Sequence, residues 1–173
     1  MEFQALMGLR LRVLFLMLIA CVAHQTLFAA VRWGDVRPHL LLLMAVSAAI
    51  VGGADRGAVI GFLCGLLTDL FLQTPFGLSA LAFSLVAFGV GSVQSSVIRS
   101  AWWIPPLTAL VASATGIVLY ALLGAIVGQS QFVRPVLLLV ALAVGAVNAA
   151  LAPFMVKAMS WAMTDQAESS FAR

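Results

Sequence analysis

Six apolar stretches, joined by short polar connections, make up most of this chain of 173 residues. Each is close to the roughly 20 residues that a helix needs to cross the hydrocarbon core of a bilayer, although the third is short. Because backbone polar groups in lipid must be satisfied within the segment, we predict an all-α integral membrane protein with six transmembrane helices. The stretches lie at about residues 13–31, 38–54, 57–72, 77–98, 103–127 and 135–159.

Composition agrees with this assignment, since 64% of the residues are hydrophobic and only 9% are charged, more apolar surface than a soluble domain of this size could bury. We expect a cytoplasmic N-terminal segment at 1–12, the transmembrane domain at 13–159 and a disordered polar tail at 160–173. The net charge of +3 is spread over the connections without a basic run. This excludes a nucleic-acid partner and predicts no polybasic lipid-binding segment.

Glycine recurs at every fourth position from the end of the second stretch into the third, at Gly53, Gly57, Gly61 and Gly65. Residues four apart lie on one face of an α-helix, and a face without side chains lets another helix backbone approach closely. We therefore expect Gly57, Gly61 and Gly65 to face another helix, where leucine at position 61 would push the two backbones apart. We also expect this short glycine-rich helix to lie inside the bundle, where lipid thickness matters less.

The same four-residue register leads on to Asp69, the only acid deep in a predicted span, and to Gly77 in the turn that follows. Asp69 lies about 5 Å below the outer end of the third helix, where an unpaired carboxylate is costly. Arg37 and Arg134 open the second and sixth helices at that face, in the similar sequences VRPHLLL and VRPVLLL. We expect Asp69 to pair with one of these arginines; the alternative is that it reaches interfacial water.

Catalytic and metal-binding patterns are missing from the sequence. It has no phosphate-binding loop, no HExxH, no serine–histidine–acid set and no second carboxylate within a span for a proton relay. Cys21 and Cys64 both fall inside predicted helices and form neither a disulfide framework nor a zinc pattern. His24 has no second ligand at a suitable spacing and is interpreted as a structural group. We predict a protein that is not an enzyme and needs no cofactor or metal.

An ordered series of short motifs remains. The last two residues of this series, Asn148 and Pro153, lie five residues apart in the last predicted helix. In order, the motifs are Arg37-Pro38-His39-Leu40, Gly57-x3-Gly61-Phe62-x2-Gly65, Thr68-Asp69, Phe76-Gly77, Arg134-Pro135 and Asn148-x4-Pro153. In a six-span chain of this length the series resembles the rod shape-determining membrane protein MreD. Helix 5 departs from the pattern, because some family members carry an acid there and this chain has Ser113 and Thr115.

The resemblance implies a subunit of the cell-elongation machinery in the bacterial inner membrane. It implies a bitopic MreC-like partner and a role in coupling an actin-like filament to the enzymes of peptidoglycan synthesis. It also implies a fold that looks like the substrate-binding component of energy-coupling-factor transporters. The motif residues would then have structural or partner-interaction roles.

Three functions stay open at this point. The first is a scaffold that binds an MreC-like protein within the membrane. The second is a small-solute-binding subunit of a transporter, which would need an outward-opening cavity lined by several polar groups. The outer half of the bundle offers only His24, Gln25, Thr68 and Asp69 for such a cavity. The third is an accessory to a lipid flippase.

Orientation follows from the basic residues, because cytoplasmic connections are enriched in lysine and arginine. With the N-terminus inside, six basic residues face the cytoplasm and three, at positions 32, 37 and 134, face outward. We predict that both termini are cytoplasmic. Alkaline phosphatase fused after Arg173 should therefore be inactive, and high phosphatase activity would overturn this topology.

Overall fold

The computed structural model describes residues 2–30, 39–71, 76–94, 103–128 and 136–163. All the regular structure within these ranges is helical, as the apolar stretches predict. Arg37, Pro38 and Arg134 lie outside the described residues, and so does 164–173 of the expected tail. The helices are α1 (Glu2–Ala30), α2 (Leu40–Gly52), α3 (Ala54–Asp69), α4 (Leu78–Gln94), α5 (Ile104–Ile126) and α6 (Leu137–Met163).

The central helix of the bundle is α2. Its eleven residues from Leu40 to Ile50 are all buried, and it contacts each of the other five helices. A helix that is apolar on every side must be surrounded by protein or lipid. At 13 residues, α2 is only about 20 Å long, which is less than the thickness of a hydrocarbon core. The short interior helix is therefore α2.

The expectation that the glycine-rich helix occupies the interior is wrong. One face of α3 is buried, but the opposite face carries the exposed side chains of Val59, Phe62 and Leu63. The glycines occupy a single stripe, so they make only one side of α3 suitable for close packing. A four-residue period defines a face, and it does not place a helix at the centre.

A single residue, Gly53, separates α2 from α3. Its φ of +82° lies in the left-handed region that side chains rarely adopt. The N–H of Gly53 donates to the carbonyl of Ala49, and the backbones then diverge into two packed helices. Because of this tight break, α3 starts at Ala54, three residues before the predicted span.

In the part of the chain that the structure describes, two helices are long and apolar enough to cross a membrane by length and composition, Ile104–Ile126 and Leu137–Met163. The apolar parts of three other helices are shorter: Leu11–His24, Leu40–Gly52 and Leu78–Val93. The last helix runs through Pro153 and ends at Met163, beyond the expected start of the polar tail at residue 160.

The start of the bundle and its end lie close together. The guanidinium carbon of Arg12 on α1 lies 5.4 Å from the ring centroid of Trp161 on α6, a cation–π geometry. The N-terminal half of α1 and the last turn of α6 therefore share one end of the bundle.

Candidate functional site

The three glycines of the stripe face two different helices. A Cβ on Gly57 would lie 2.5 Å from the Cβ of Ala49 on α2. On Gly61 it would lie 2.7 Å from the carbonyl oxygen of Phe83 on α4. On Gly65 it would lie 2.5 Å from the carbonyl oxygen of Ser79 and overlap the backbone of Ala80. Since real Cβ contacts stay above 3.0 Å, α3 holds two neighbours at distances that only glycine permits.

Glycines permit equally close contact at two further positions, one in the same α3–α4 pair and one between α5 and α6. A Cβ on Gly91 of α4 would lie 2.5 Å from the Cα of Ala54, at the start of α3. On Gly145 of α6 it would lie 2.9 Å from the carbonyl oxygen of Leu110 on α5. In lipid there is no hydrophobic driving force between helices, so their association depends on van der Waals contact. Close approach of the backbones increases that contact.

The carboxylate of Asp69 caps the N-terminus of α4. Its Oδ2 accepts hydrogen bonds from the N–H groups of Gly77, at 2.8 Å, and Ala80, at 3.3 Å. Its Oδ1 accepts a third from the N–H of Ser79, at 3.2 Å. The first N–H groups of a helix lack partners within the helix, and their partial positive charge favours an anion. Asp69 thus joins the last turn of α3 to the first turn of α4.

Gly77 shapes the turn that makes this cap possible. Its φ of +99° lies in the left-handed region, and its N–H makes the shortest of the three bonds to Asp69. Asp69 itself is only 3% exposed, which disfavours the alternative that it reaches interfacial water. The ion pair with Arg37 or Arg134 stays a prediction, because both arginines lie outside the described residues. A carboxylate has about four acceptor positions, so the three backbone bonds leave room for an arginine.

Asn148 is fully buried and joins three helices. Its Nδ2 donates to the Oγ of Ser113 on α5 at 2.8 Å and lies 3.5 Å from the carbonyl oxygen of His39, just before α2. Its Oδ1 has no hydrogen-bond partner among the described residues. Ser113 is therefore the residue of α5 that takes part in this buried hydrogen bond. From the sequence, Ser113 was noted only as a departure from the family pattern.

His24 and His39 lie in contact between α1 and the start of α2. Their ring centroids are 5.6 Å apart, and the ring of His39 meets Phe83 of α4 edge-on at 6.3 Å. His24 therefore packs at a junction of three elements. Within the described residues no group of three or more His, Cys, Asp or Glu side chains could hold a metal ion.

Two further motif residues, Phe62 and Pro153, are exposed. Phe62 lies on the outer face of α3 with 47% of its surface accessible. Pro153 lies inside α6, where its missing N–H leaves the carbonyl of Ala149 without its helical donor.

A groove of about 550 Å³ runs between α4 and α5. Among the described residues, its walls are apolar side chains such as Leu85, Val93, Trp103 and Val111, and only Thr108 and Thr115 bring hydroxyl groups. The Thr108 hydroxyl already donates to the carbonyl of Ile104 at 2.8 Å. This groove suits hydrocarbon surfaces and lacks the several polar groups that a small polar solute needs.

These features define a class: an all-α membrane protein whose buried polar side chains hold its helices to one another. The family model of the rod shape-determining protein MreD matches residues 6–160. Because the match covers most of the chain, this protein belongs to the MreD family. No curated protein and no solved structure gives a significant match. The family is a shape-determining family of the inner membrane, is part of a system with MreC, and is not known for enzymatic activity.

The cap leads to a prediction about Asp69. Asp69→Ala leaves three N–H groups at the start of α4 without their acceptor and should lower the free energy of unfolding by about 1–2 kcal/mol. Asp69→Asn keeps one acceptor oxygen and should cost less. Unfolding of the purified chain in mixed micelles measures both, with Asp55→Ala, an exposed acid in the first turn of α3, as the matched control.

If Asp69→Asn lowers the free energy of unfolding as much as Asp69→Ala does, the negative charge of Asp69 contributes more to stability than its hydrogen bonds to the start of α4. The charge-reversed pair Asp69→Arg with Arg37→Asp, or with Arg134→Asp, then decides the matter. Recovery of protein level in a double variant would establish the ion pair, whereas additive losses would leave the backbone cap as the role of this carboxylate.

Proposed function

We propose that this chain is a non-enzymatic membrane scaffold of the cell-elongation complex. It binds an MreC-like bitopic protein within the bilayer and helps couple an actin-like filament, directly or indirectly, to peptidoglycan synthesis. The observation that supports this proposal is that the buried polar side chains form contacts between helices. Asp69, Asn148 and Ser113 contact neighbouring helices, and the α4–α5 groove is apolar.

Backbone contacts at Gly57, Gly61 and Gly65 favour a rigid framework, because packed backbones leave few side-chain rotamers to rearrange. A rigid bundle with apolar outer faces suits a protein that positions another membrane protein. In this proposal the motif residues of α3 and α6, including Asn148 and Pro153, act by holding the shape that the partner recognises.

The proposed arrangement is a multi-pass one with six spans and both termini in the cytoplasm. The proximity of Arg12 to Trp161 supports it, because an even number of crossings returns the chain to the starting side. The short helix α2 fits a bundle in which an interior segment need not match the lipid thickness. The similarity to the energy-coupling-factor fold rests on the family resemblance alone.

The solute-binding alternative receives little support from this bundle. Such a subunit needs several convergent polar groups around a cavity. The Asp69 carboxylate is occupied by the start of α4, and Thr68 donates to the carbonyl of Cys64 at 2.9 Å. His24 packs against His39. Three of the four polar side chains that the sequence offered for a cavity, His24, Thr68 and Asp69, thus make contacts within the bundle.

The proposal predicts two results in the organism. Loss of the chain should turn rod-shaped cells round, and affinity purification of the chain from solubilised membranes should recover an MreC-like protein. The matched control is an unrelated six-span protein carrying the same tag at the same expression level. Binding of a vitamin at sub-micromolar concentration, together with unchanged cell shape on deletion, would contradict the scaffold and favour the transporter subunit.

A further inference from the structure

The groove between α4 and α5 is longer than one leaflet of a bilayer. On α5 its lining runs from Trp103 to Leu119, and on α4 it runs from Leu85 to Val93. The lining on α5 is about 24 Å long at the helical rise, whereas one leaflet supplies only half of the roughly 30 Å hydrocarbon core. An occupant that fills the groove therefore crosses from one leaflet into the other, as a membrane-spanning helix does and the acyl chain of one leaflet does not.

Small residues line the middle of this groove. Ala112 of α5 lies there between Thr108 and Thr115 on one helix face, and Gly89 lies across from them on α4. A Cβ on Gly89 would meet nothing within 4 Å, whereas a Cβ on Gly91 would overlap the start of α3. Gly89 therefore packs against no helix of the bundle and leaves its side of the groove open. Small side chains at such a surface let another helix approach closely in lipid.

Thr115 carries a hydroxyl group that the bundle leaves unbonded. The other threonines that the structure describes, Thr26, Thr68 and Thr108, each donate to the carbonyl four residues earlier in their own helix. The Thr115 hydroxyl makes no such bond, and no other group among the described residues bonds to it. Thr115 is exposed within the groove, so this hydroxyl is available to a group that enters there.

The position of Thr115 along α5 restricts what that group is. Thr115 lies midway between Ile104 and Ile126, the two ends of the helix. Each end is about 17 Å away at the helical rise, so in a membrane-spanning α5 the hydroxyl lies near the middle of the bilayer. Water and lipid headgroups do not reach this depth, and an unbonded hydroxyl there costs free energy. A polar side chain on another membrane-spanning segment is the group that bonds to it.

We propose that the α4–α5 groove is the docking site for the transmembrane helix of the bitopic partner, with Thr115 bonded to a polar side chain halfway along that helix. The inference rests on the proposed function, because it names the surface at which that partner binds. It also gives the partner a chemical feature, a Ser, Thr, Asn or Gln at mid-span, since these side chains hydrogen-bond across helices in lipid. Gly89 and Ala112 let the backbone of the partner helix come close.

Photo-crosslinking in membranes of cells that express the full chain tests where the partner lies. A photoreactive phenylalanine analogue replaces either Leu107, which is 50% exposed at the edge of the groove, or Leu142, which is 56% exposed on α6 and outside the groove. The Leu107 position should crosslink to the MreC-like protein, and the Leu142 position should not. Mass spectrometry of the adduct should place the crosslink within the membrane-spanning segment of the partner.

Two pairs of variants test the contacts, measured as the dissociation constant of the partner's labelled transmembrane peptide for the full chain in phosphatidylcholine nanodiscs. Gly89→Leu fills the groove and should weaken binding at least about tenfold through overpacking, whereas Ala146→Leu, on an exposed part of α6, should change nothing. Thr115→Val should weaken binding about threefold, the usual contribution of one interhelical hydrogen bond in lipid. Thr108→Val, whose hydroxyl is already bonded within α5, should have no effect.

Several outcomes overturn the proposal. Equal crosslinking from Leu107 and Leu142, or an unchanged affinity in Gly89→Leu, excludes the docking site and leaves the scaffold function intact as long as the partner co-purifies. An adduct of two copies of this chain assigns the groove to self-association, and adducts with lipid alone assign it to acyl chains. Equal losses in Thr115→Val and Thr108→Val exclude the hydrogen bond. If no MreC-like protein co-purifies, the proposed function itself fails and the groove loses its occupant.

Discussion

Backbone-to-backbone contact across the glycines of α3 is the constraint on which the rest of the bundle depends. Gly57 admits α2 on one side, and Gly61 and Gly65 admit α4 on the other. With α2 and α4 drawn in this closely, Asp69 reaches the first N–H groups of α4, and Phe83 meets His39 at the start of α2. Larger residues in the stripe would separate the helices and break these polar contacts together.

Hydrogen bonds of buried polar side chains determine which helix ends lie next to each other. The Asp69 cap joins α3 to α4, and the Asn148 amide joins α6 to α5 and to the start of α2. In a low-dielectric interior, a polar group without its partner is costly, so such contacts favour one arrangement over others of similar apolar packing. A framework with one arrangement suits a protein of the MreD family, whose role is in shape determination.

The sequence was sufficient for the helical class, the family and the packing face of α3, because a four-residue period and an isolated acid are local signals. It could not identify α2 as the centre, since a helix that is apolar on all sides has no periodicity to read. It also missed the partners of Asp69, which are backbone groups of the next helix. The contact of Ser113 with Asn148 was missed because it joins residues on different helices, and no local sequence pattern records such a contact.

The central claim is that the glycine stripe sets the helix spacing, and two alanine substitutions measured by reversible unfolding test it most directly. Gly65→Ala places a methyl group against the α4 backbone and should lower the free energy of unfolding by about 1–3 kcal/mol. Gly89→Ala, on an open face of α4 with nothing within 4 Å, should be neutral or raise it by up to about 1 kcal/mol. Equal effects of the two substitutions would contradict the account.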